Sequence, residues 1–233
     1  MNLFYQPAIQ QGVHHLDPTE SKHCTKVLRK KAGDKINITD GRGFLYDALI
    51  TIADPNECRF EIQEKKTEPA RSFKIHIAIS PTKHPDRFEW FVEKAVELGV
   101  DRITVMMCEH TEHTHIKTER LEKIAISAMK QSLRLTLPKI EGPIDFKTVV
   151  NQAEAVSKYI AYVDSNNPEH LNTVARRDSD AMVLIGPEGD FSPQEIEVAV
   201  NKNFRKVSLG SNRLRTETAG LAACHILNLV NTD

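Results

Sequence analysis

The stretch "AMVLIGPEGDFSPQEIEVAV", residues 181–200, joins a short apolar run to a polar segment. The apolar run stops at Gly186. Downstream, Ser192, Pro193 and Glu195 match a helix-start signature, with a serine N-cap, a proline at the first helical position and a capping-box glutamate. The stretch therefore predicts a buried strand, a glycine-rich loop and a helix. In a parallel sheet such a loop leaves the carboxyl end of its strand, where ligands bind.

A second stretch, "VSLGSNRLRTETAGLAA" at residues 207–223, has the same organisation. An ordinary glycine-rich turn explains either loop alone, but two such loops at the carboxyl ends of two strands are expected to wall one pocket. Glycine lacks a Cβ atom, so a ligand can lie directly against the backbone there. Neither loop matches a P-loop or a dinucleotide fingerprint, which argues against a nucleoside triphosphate or a conventional dinucleotide as ligand.

The rest of the chain divides into two regions. Residues 73–233 alternate strands and helices, which is typical of a parallel α/β sheet. Residues 1–70 instead show one short helix from Asp17 to about Arg29 and three strand-like runs, typical of a small β-barrel. The turn Asp40-Gly41-Arg42-Gly43 indicates a hairpin between the first two runs. A polar segment, residues 65–72, is the predicted linker.

The elements predicted for the second region are as follows. Strands are expected at "FKIHIAIS", "DRITVMMC", "YIAYVD", "AMVLIG" and "RKVSLG". Besides the helix that begins near Ser192, helices are expected at 85–99, 118–134, 145–157 and 216–230, of which the first carries apolar residues at helical spacing and ends at Gly99.

Composition places the chain among ordinary globular proteins. It has 233 residues, 40% hydrophobic and 27% charged, and a net charge of −1, so any attraction to nucleic acid must come from a local basic surface. Four cysteines are scattered without a C-x-x-C pair, which favours a reducing compartment. With neither a signal-peptide pattern nor an apolar run near the ~20 residues of a membrane span, we expect a soluble, cytoplasmic protein.

The two loop motifs resemble the paired signature of the SPOUT-class methyltransferases that modify N3 of a uridine in 16S ribosomal RNA (RsmE type). The resemblance rests on "LIGPEGDFSPQEIE" and "LGSNRLRTETAG", and it is extended by "DRFEWFVEKAVELGVDRI" and by "KQSLRLTLPKI", which contains Gln131 and Arg134. The segment "HCTKVLRKKAGDKINITDGRG" is similar to the PUA-like RNA-binding barrel of the same family. Two positions depart from the pattern: Asp190 replaces a usual glycine, and Arg213 is an additional arginine.

The resemblance implies S-adenosylmethionine bound in a deep trefoil knot and a homodimer packed through the knot helices. The two loops would be the knot loops, and they would hold the cofactor largely by backbone contacts. The cofactor-binding residues so implied are Leu184, Gly186, Pro187, Glu188, Gly189, Leu209, Gly210, Asn212, Leu214 and Arg215.

Four charged residues are candidates for the methyl-transfer chemistry. Glu188 lies between two glycines, where substrate and cofactor are expected to meet. Glu217 begins the last helix, where compensation of the helix dipole is an alternative role. Arg134 and Arg215 are candidates to stabilise a uracil anion or to grip a phosphate. The pattern alone does not single out a base.

A basic cluster in the first region is the candidate RNA contact. Its residues lie close together in sequence and can neutralise several phosphates; the alternative is a solvated helix face. The cluster comprises Lys22, Lys26, Arg29, Lys30, Lys31 and Lys35. Beside a cofactor-binding domain we favour RNA binding, with 16S ribosomal RNA or the small ribosomal subunit as the partner.

Two other classes of function are compatible with parts of the sequence. A metal-dependent hydrolase would use Cys108, His110, His113 and His115 of "CEHTEHTHIK", although their spacing matches no H-E-x-x-H pattern. A non-catalytic RNA-binding dimer would keep the fold without the chemistry, and the intact cofactor loops argue against it.

Overall fold

The computed structural model describes residues 2–162 and 169–232. The chain divides into two compact units. The first unit is Met1–Ala70 with Ile126–Leu137, and the second is Arg71–Ala125 with Pro138–Asp233. The domain division predicted at residues 70–73 stays a prediction.

The first unit contains a four-stranded sheet in the order β1-β2-β3-β4. Its strands are β1 (Leu3–Tyr5), β2 (Lys35–Thr39), β3 (Phe44–Ile52) and β4 (Arg59–Thr67). The three predicted strands are confirmed, and β1, which pairs parallel to β2, was not predicted because three residues are too few to show a periodicity. The hairpin between β2 and β3 is also confirmed, with Gly41 and Gly43 at positive φ and the Arg42 amide donating to Asp40.

The predicted N-terminal helix begins as expected. Asp17 caps α1 (Pro18–Lys22), accepting hydrogen bonds from the amides of Thr19 and Glu20. The chain then continues as a π-helical turn, His23–Val27, and leaves the helix at Leu28, shortly before the predicted end.

The second unit contains a six-stranded parallel sheet in the order β10-β8-β9-β5-β6-β7. The strands are β5 (Ile75–Ile79), β6 (Arg102–Met107), β7 (Lys139–Asp145), β8 (Ser157–Ala161), β9 (Ala181–Ile185) and β10 (Arg205–Val207). The helices are α2 (Pro85–Glu97), α3 (Thr118–Gln131), α4 (Phe146–Asn151), α5 (Leu171–Val174), α6 (Pro193–Asn201) and α7 (Thr216–Val230); α3 continues into the first unit. The predicted α/β class with a parallel sheet is confirmed.

Helix α2 confirms the helix that the apolar spacing predicted at residues 85–99. Its buried face contains Phe88, Phe91 and Val92, at the spacing that one side of a helix requires. Gly220 of α7 lies against this face, and a Cβ atom there would stand 2.5 Å from the Phe91 ring. The small residue therefore permits close packing of α7 against α2.

Several elements differ from the prediction. Strand β7 was missed because Gly142-Pro143 lies inside it, and proline is confined to edge strands such as this one. The predicted helix at residues 145–157 ends at Asn151 as α4. Strand β8 begins two residues before the predicted "YIAYVD", whose last residues, 163 and 164, lie outside the described residues. Within residues 2–162 and 169–232, no helix has the length and apolar character needed to cross a membrane.

Candidate functional site

A cavity of about 780 Å³ lies at the carboxyl ends of β8, β9 and β10, all in the second unit. Both glycine-bearing loops contribute to its wall, as the topology of a parallel sheet predicts. The described residues that line it are Ala161, Tyr162, His170, Ile185, Gly186, Pro187, Glu188, Asp190, Val207, Ser208, Leu209, Gly210, Ser211, Asn212, Arg213, Leu214, Arg215, Thr216 and Ala219.

The first loop is a turn held at both ends. The Asp190 amide donates to the Pro187 carbonyl at 3.0 Å, and Asp190 itself has φ +64°. Beyond the turn the predicted capping box is present: Ser192 accepts from the Glu195 amide, and the Glu195 carboxylate accepts from the Ser192 amide. These bonds determine the shape of the loop before any ligand arrives.

The second loop is more open. Residues 210–213 are exposed, and Gly210 has φ +145° with open space around its α-carbon. The two loops are linked where α7 begins, because the Thr216 hydroxyl donates to the Gly186 carbonyl at 3.0 Å. A longer contact, 3.4 Å, runs from the Arg213 guanidinium to the Glu188 carbonyl.

A third segment of the wall was missed from the sequence. Tyr162 directly follows β8, and His170 caps α5 by accepting from the Asn172 amide at 3.2 Å. The same topological rule that located the glycine-rich loops would have found Tyr162, since it lies just past the carboxyl end of a strand. No local motif marks His170.

Most of the predicted cofactor-binding residues lie together at the cavity. Those that line it are Gly186, Pro187, Glu188, Leu209, Gly210, Asn212, Leu214 and Arg215. Leu184 and Gly189 are not among the described lining residues: Leu184 is fully buried within β9, and the α-carbon of Gly189 faces His110. A Cβ atom at Gly189 would meet the His110 Cβ at 3.1 Å.

The four candidate catalytic residues are separated. Glu188 and Arg215 line the cavity, and the Glu188 carboxylate accepts from the Lys83 amide at 2.9 Å. Glu217 is buried in the first turn of α7 and does not line the described cavity wall. Arg134 belongs to the first unit.

The basic cluster belongs to the first unit, where it extends from α1 through the π-helical turn and the following loop to Lys35, the first residue of β2. The Lys30 ammonium donates to the Lys35 carbonyl at 3.2 Å. The exposed members are Lys22, Lys26, Arg29, Lys31 and Lys35, and Lys30 is half-buried.

The His/Cys stretch does not form a metal site. Among the described residues, no group of three or more His, Cys, Asp or Glu side chains is placed to hold a metal ion. Burial, with Glu195 and Asp145 nearby, raises the pKa of the Cys108 thiol. His110 instead bonds to the backbone of the first loop.

The fold and the cavity define a ligand-binding α/β domain: a parallel sheet with glycine-bearing loops around a pocket at the carboxyl ends of its strands. The chain belongs to the RNA methyltransferase family. The family model of the RNA methyltransferase domain matches residues 69–228, and that of the RNA methyltransferase PUA domain matches residues 16–63. The predicted resemblance is thereby confirmed at the level of the family.

Relatives match over most of their length. The ribosomal RNA small subunit methyltransferase E of Mesomycoplasma hyopneumoniae is 32% identical over 72% of this chain and 75% of its own. A solved probable rRNA-methyltransferase from Porphyromonas gingivalis is 44% identical, with a TM-score of 0.92 over 99% of this chain and 98% of that one. A ribosomal RNA small subunit methyltransferase E from Neisseria gonorrhoeae, solved bound to S-adenosyl methionine, is 29% identical with a TM-score of 0.86, over 99% and 98%.

Proposed function

We propose that this protein uses S-adenosylmethionine to methylate N3 of a uridine in 16S ribosomal RNA. The observation that carries the proposal is the cavity itself, since both loops of the signature line it in a chain of the RNA methyltransferase family. Relatives that bear the name ribosomal RNA small subunit methyltransferase E, one of them solved with the cofactor, support the substrate class and the cofactor.

The cavity suits S-adenosylmethionine in size and chemistry. Its volume, about 780 Å³, lies within the usual range for small-molecule sites, roughly 300–1,000 Å³. Gly210 has open space where a side chain would stand, and the missing Cβ of Gly186 faces the Phe191 ring, so both loops present bare backbone to a polar, zwitterionic molecule. We assign cofactor binding to the lining residues Gly186, Pro187, Glu188, Leu209, Gly210, Asn212, Leu214 and Arg215.

When bound, S-adenosylmethionine supplies a methyl group already activated by its sulfonium. The protein's part is then to align a uridine N3 with that methyl group and to favour loss of the N3 proton; alignment provides most of the acceleration. We assign the stabilisation of the uracil anion to Arg215, whose exposed guanidinium lines the cavity. Glu188, on the facing loop, is the carboxylate that we propose to lie where the uridine and the cofactor meet.

We propose that the first unit binds ribosomal RNA through its basic cluster. The PUA family model covers residues 16–63, which include every residue of the cluster. Replacing Lys30 and Lys31 by Glu is expected to weaken RNA binding by at least tenfold at low salt and to leave cofactor affinity unchanged, because two phosphate contacts become repulsive. Filter binding across a salt series measures this; an unchanged affinity and salt slope would make the cluster a solvated surface.

We also propose the homodimer and the deep trefoil knot that the family resemblance implies. Helix α7 supports the dimer, because Leu229 is 57% exposed and Ile226 lies one turn earlier on the same helix, half-buried. Sedimentation equilibrium of wild type and Leu229→Glu tests it. A cytoplasmic location follows from the proposed substrate.

Transfer of a labelled methyl group to small ribosomal subunits that lack the modification tests the function. Nucleoside analysis is expected to show labelled 3-methyluridine, with fully modified subunits as the matched control. Cofactor binding without methyl transfer would mean that the substrate is another RNA. Absence of cofactor binding would favour a non-catalytic RNA-binding protein.

A further inference from the structure

His110 lies against the turn that forms one wall of the cavity. Its Nδ1 atom is 3.0 Å from the carbonyl oxygen of Asp190. A carbonyl oxygen can only accept, so Nδ1 carries the proton and the imidazole is the donor. The ring also covers Gly189, whose α-carbon faces the His110 side chain. The histidine thus contacts two consecutive residues of the turn from outside the cavity.

The backbone on either side of His110 is anchored. The Glu109 amide donates to the Glu195 carboxylate at 2.9 Å, and the Cys108 amide donates to the Thr111 hydroxyl at 2.9 Å. That hydroxyl also bonds Ser80 at 2.8 Å. Glu195 is the capping-box residue of α6, so one carboxylate holds both the segment that presents His110 and the end of the first loop. His110 is therefore held in place before a ligand binds.

The turn has a second outer contact at its other end. The Lys83 amide donates to the Glu188 carboxylate at 2.9 Å, and the Lys83 ammonium pairs with Glu112 at 2.8 Å. His110 and Lys83 thus hold the two cavity-lining residues, Asp190 and Glu188, on either side of Gly189. The lysine contact uses a backbone amide and does not depend on the side chain. The histidine contact depends on one side-chain nitrogen.

We propose that His110 is a positioning residue for the cofactor site. It sets the Glu188–Asp190 turn through the bond from Nδ1 to Asp190 and through packing on Gly189. This role rests on the proposed function, because it concerns the affinity of the same cavity for S-adenosylmethionine. It also gives Gly189 a role although that residue does not line the described wall of the cavity, because a Cβ atom there would meet the His110 Cβ at 3.1 Å.

Replacing His110 by asparagine or by glutamine distinguishes a role of the imidazole Nδ1 atom from a role of its Nε2 atom. The Asn side-chain nitrogen occupies the place of Nδ1, whereas the Gln nitrogen occupies the place of Nε2. His110→Asn is expected to keep S-adenosylmethionine Kd within about twofold of wild type. His110→Ala and His110→Gln are expected to raise Kd about three- to tenfold, the range that loss of one hydrogen bond gives. His115→Ala, an exposed histidine further along the same segment, is the control.

Titration calorimetry with S-adenosylmethionine measures the affinities, and thermal melts of the same samples check the fold. Recovery by Asn but not Gln, with melting midpoints within about 2 °C of wild type, supports the positioning role, because a purely structural residue would change the midpoint instead. Equal Kd for wild type and His110→Ala overturns it, and so does an Asn variant as weak as Ala. Failure of wild type to bind would overturn the proposed function instead.

Discussion

The two ends of the six-stranded sheet use polar residues in opposite ways. At the carboxyl end, Asn212, Arg213 and Arg215 are exposed around the cavity. At the amino end, polar side chains bond to one another: the Thr104 hydroxyl accepts from His76 Nε2 at 2.8 Å and donates to the Glu141 carboxylate at 2.9 Å. At the carboxyl end Asn212 and Arg215 are exposed beside the cavity, whereas at the amino end these polar groups hold neighbouring strands together.

Glu141 is the centre of the amino-end network. Its carboxylate also accepts from Arg102 Nε at 2.7 Å and pairs with Lys139 at 2.6 Å. Burial favours the protonated carboxyl, but hydrogen bonds from Lys139, Arg102 and Thr104 outweigh it and hold the pKa of Glu141 at about 2. Substitutions at this end should therefore change stability, whereas substitutions at the carboxyl end should change cofactor affinity.

Glu141→Ala is expected to have the largest effect. It leaves Thr104 and two cations without their common acceptor, which should lower the free energy of unfolding by about 2–3 kcal/mol. Urea denaturation measures the loss, and calorimetry should find S-adenosylmethionine affinity unchanged. Glu197→Ala, an exposed carboxylate on α6, is the control and should leave the urea midpoint near that of wild type. A large loss of S-adenosylmethionine affinity in Glu141→Ala would show that the amino end also determines cofactor binding.

Acid should destabilise the amino end through His76. Burial and the nearby Arg102 charge lower the pKa of His76 from 6.5 to about 3. The unfolded chain takes up a proton near pH 6.5 and the folded protein only near pH 3, so stability is full above pH 6.5 and falls as the pH drops through this window. Glu141 adds to the loss only below about pH 4.5, where its unfolded carboxyl begins to protonate.

His76→Gln isolates this contribution, because the Gln amide keeps a donor for Thr104 but does not titrate. Between pH 6.5 and about pH 5, wild type is expected to lose about 2 kcal/mol more unfolding free energy than His76→Gln. Urea midpoints at half-unit pH intervals measure the difference. Parallel curves for the two proteins would show that His76 can be protonated without unfolding.

At the carboxyl end, Gly210→Ala should weaken cofactor binding without changing stability. Gly210 has φ +145°, which L side chains rarely adopt, and open space around it. A side chain would thus disfavour the loop conformation rather than clash, raising S-adenosylmethionine Kd about five- to tenfold. Glu197→Ala, on α6 and not among the residues that line the cavity, should bind like wild type. A lowered urea midpoint in Gly210→Ala would mean that this loop supports the fold.

Local signals made part of the site predictable. Ser192 and Glu195 form a capping box, and Pro193 begins the helix; these signals depend only on near neighbours in sequence, so the predicted strand, loop and helix are confirmed. The glycines that interrupt the apolar runs likewise marked both loops that line the cavity. Signals of this kind act over a few residues and do not depend on the rest of the fold.

Tertiary contacts made the remainder unpredictable. That Gly189 faces His110 rather than the cavity depends on where the segment after β6 lies, and residues 109 and 195 are joined across 86 positions. The segment 126–137 joins the first unit through bonds such as that from the Thr39 hydroxyl to the Leu135 carbonyl. No periodicity or motif in these segments predicts which distant residues they contact.

The smallest expected effect is at Asp190, where substitution should change cofactor affinity less than substitution in the second loop does. Asp190 has φ +64°, which Asp tolerates better than Ala, and its carboxylate accepts from the Phe191 amide at 2.8 Å. Asp190→Gly should keep S-adenosylmethionine Kd within about twofold, because glycine adopts this φ freely. Asp190→Ala should raise Kd only about threefold, less than Gly210→Ala, because His110 and Lys83 hold the first loop from outside. If calorimetry finds Asp190→Ala as damaging as Gly210→Ala, those outer contacts do not hold the turn, and the two loops are equally free to move.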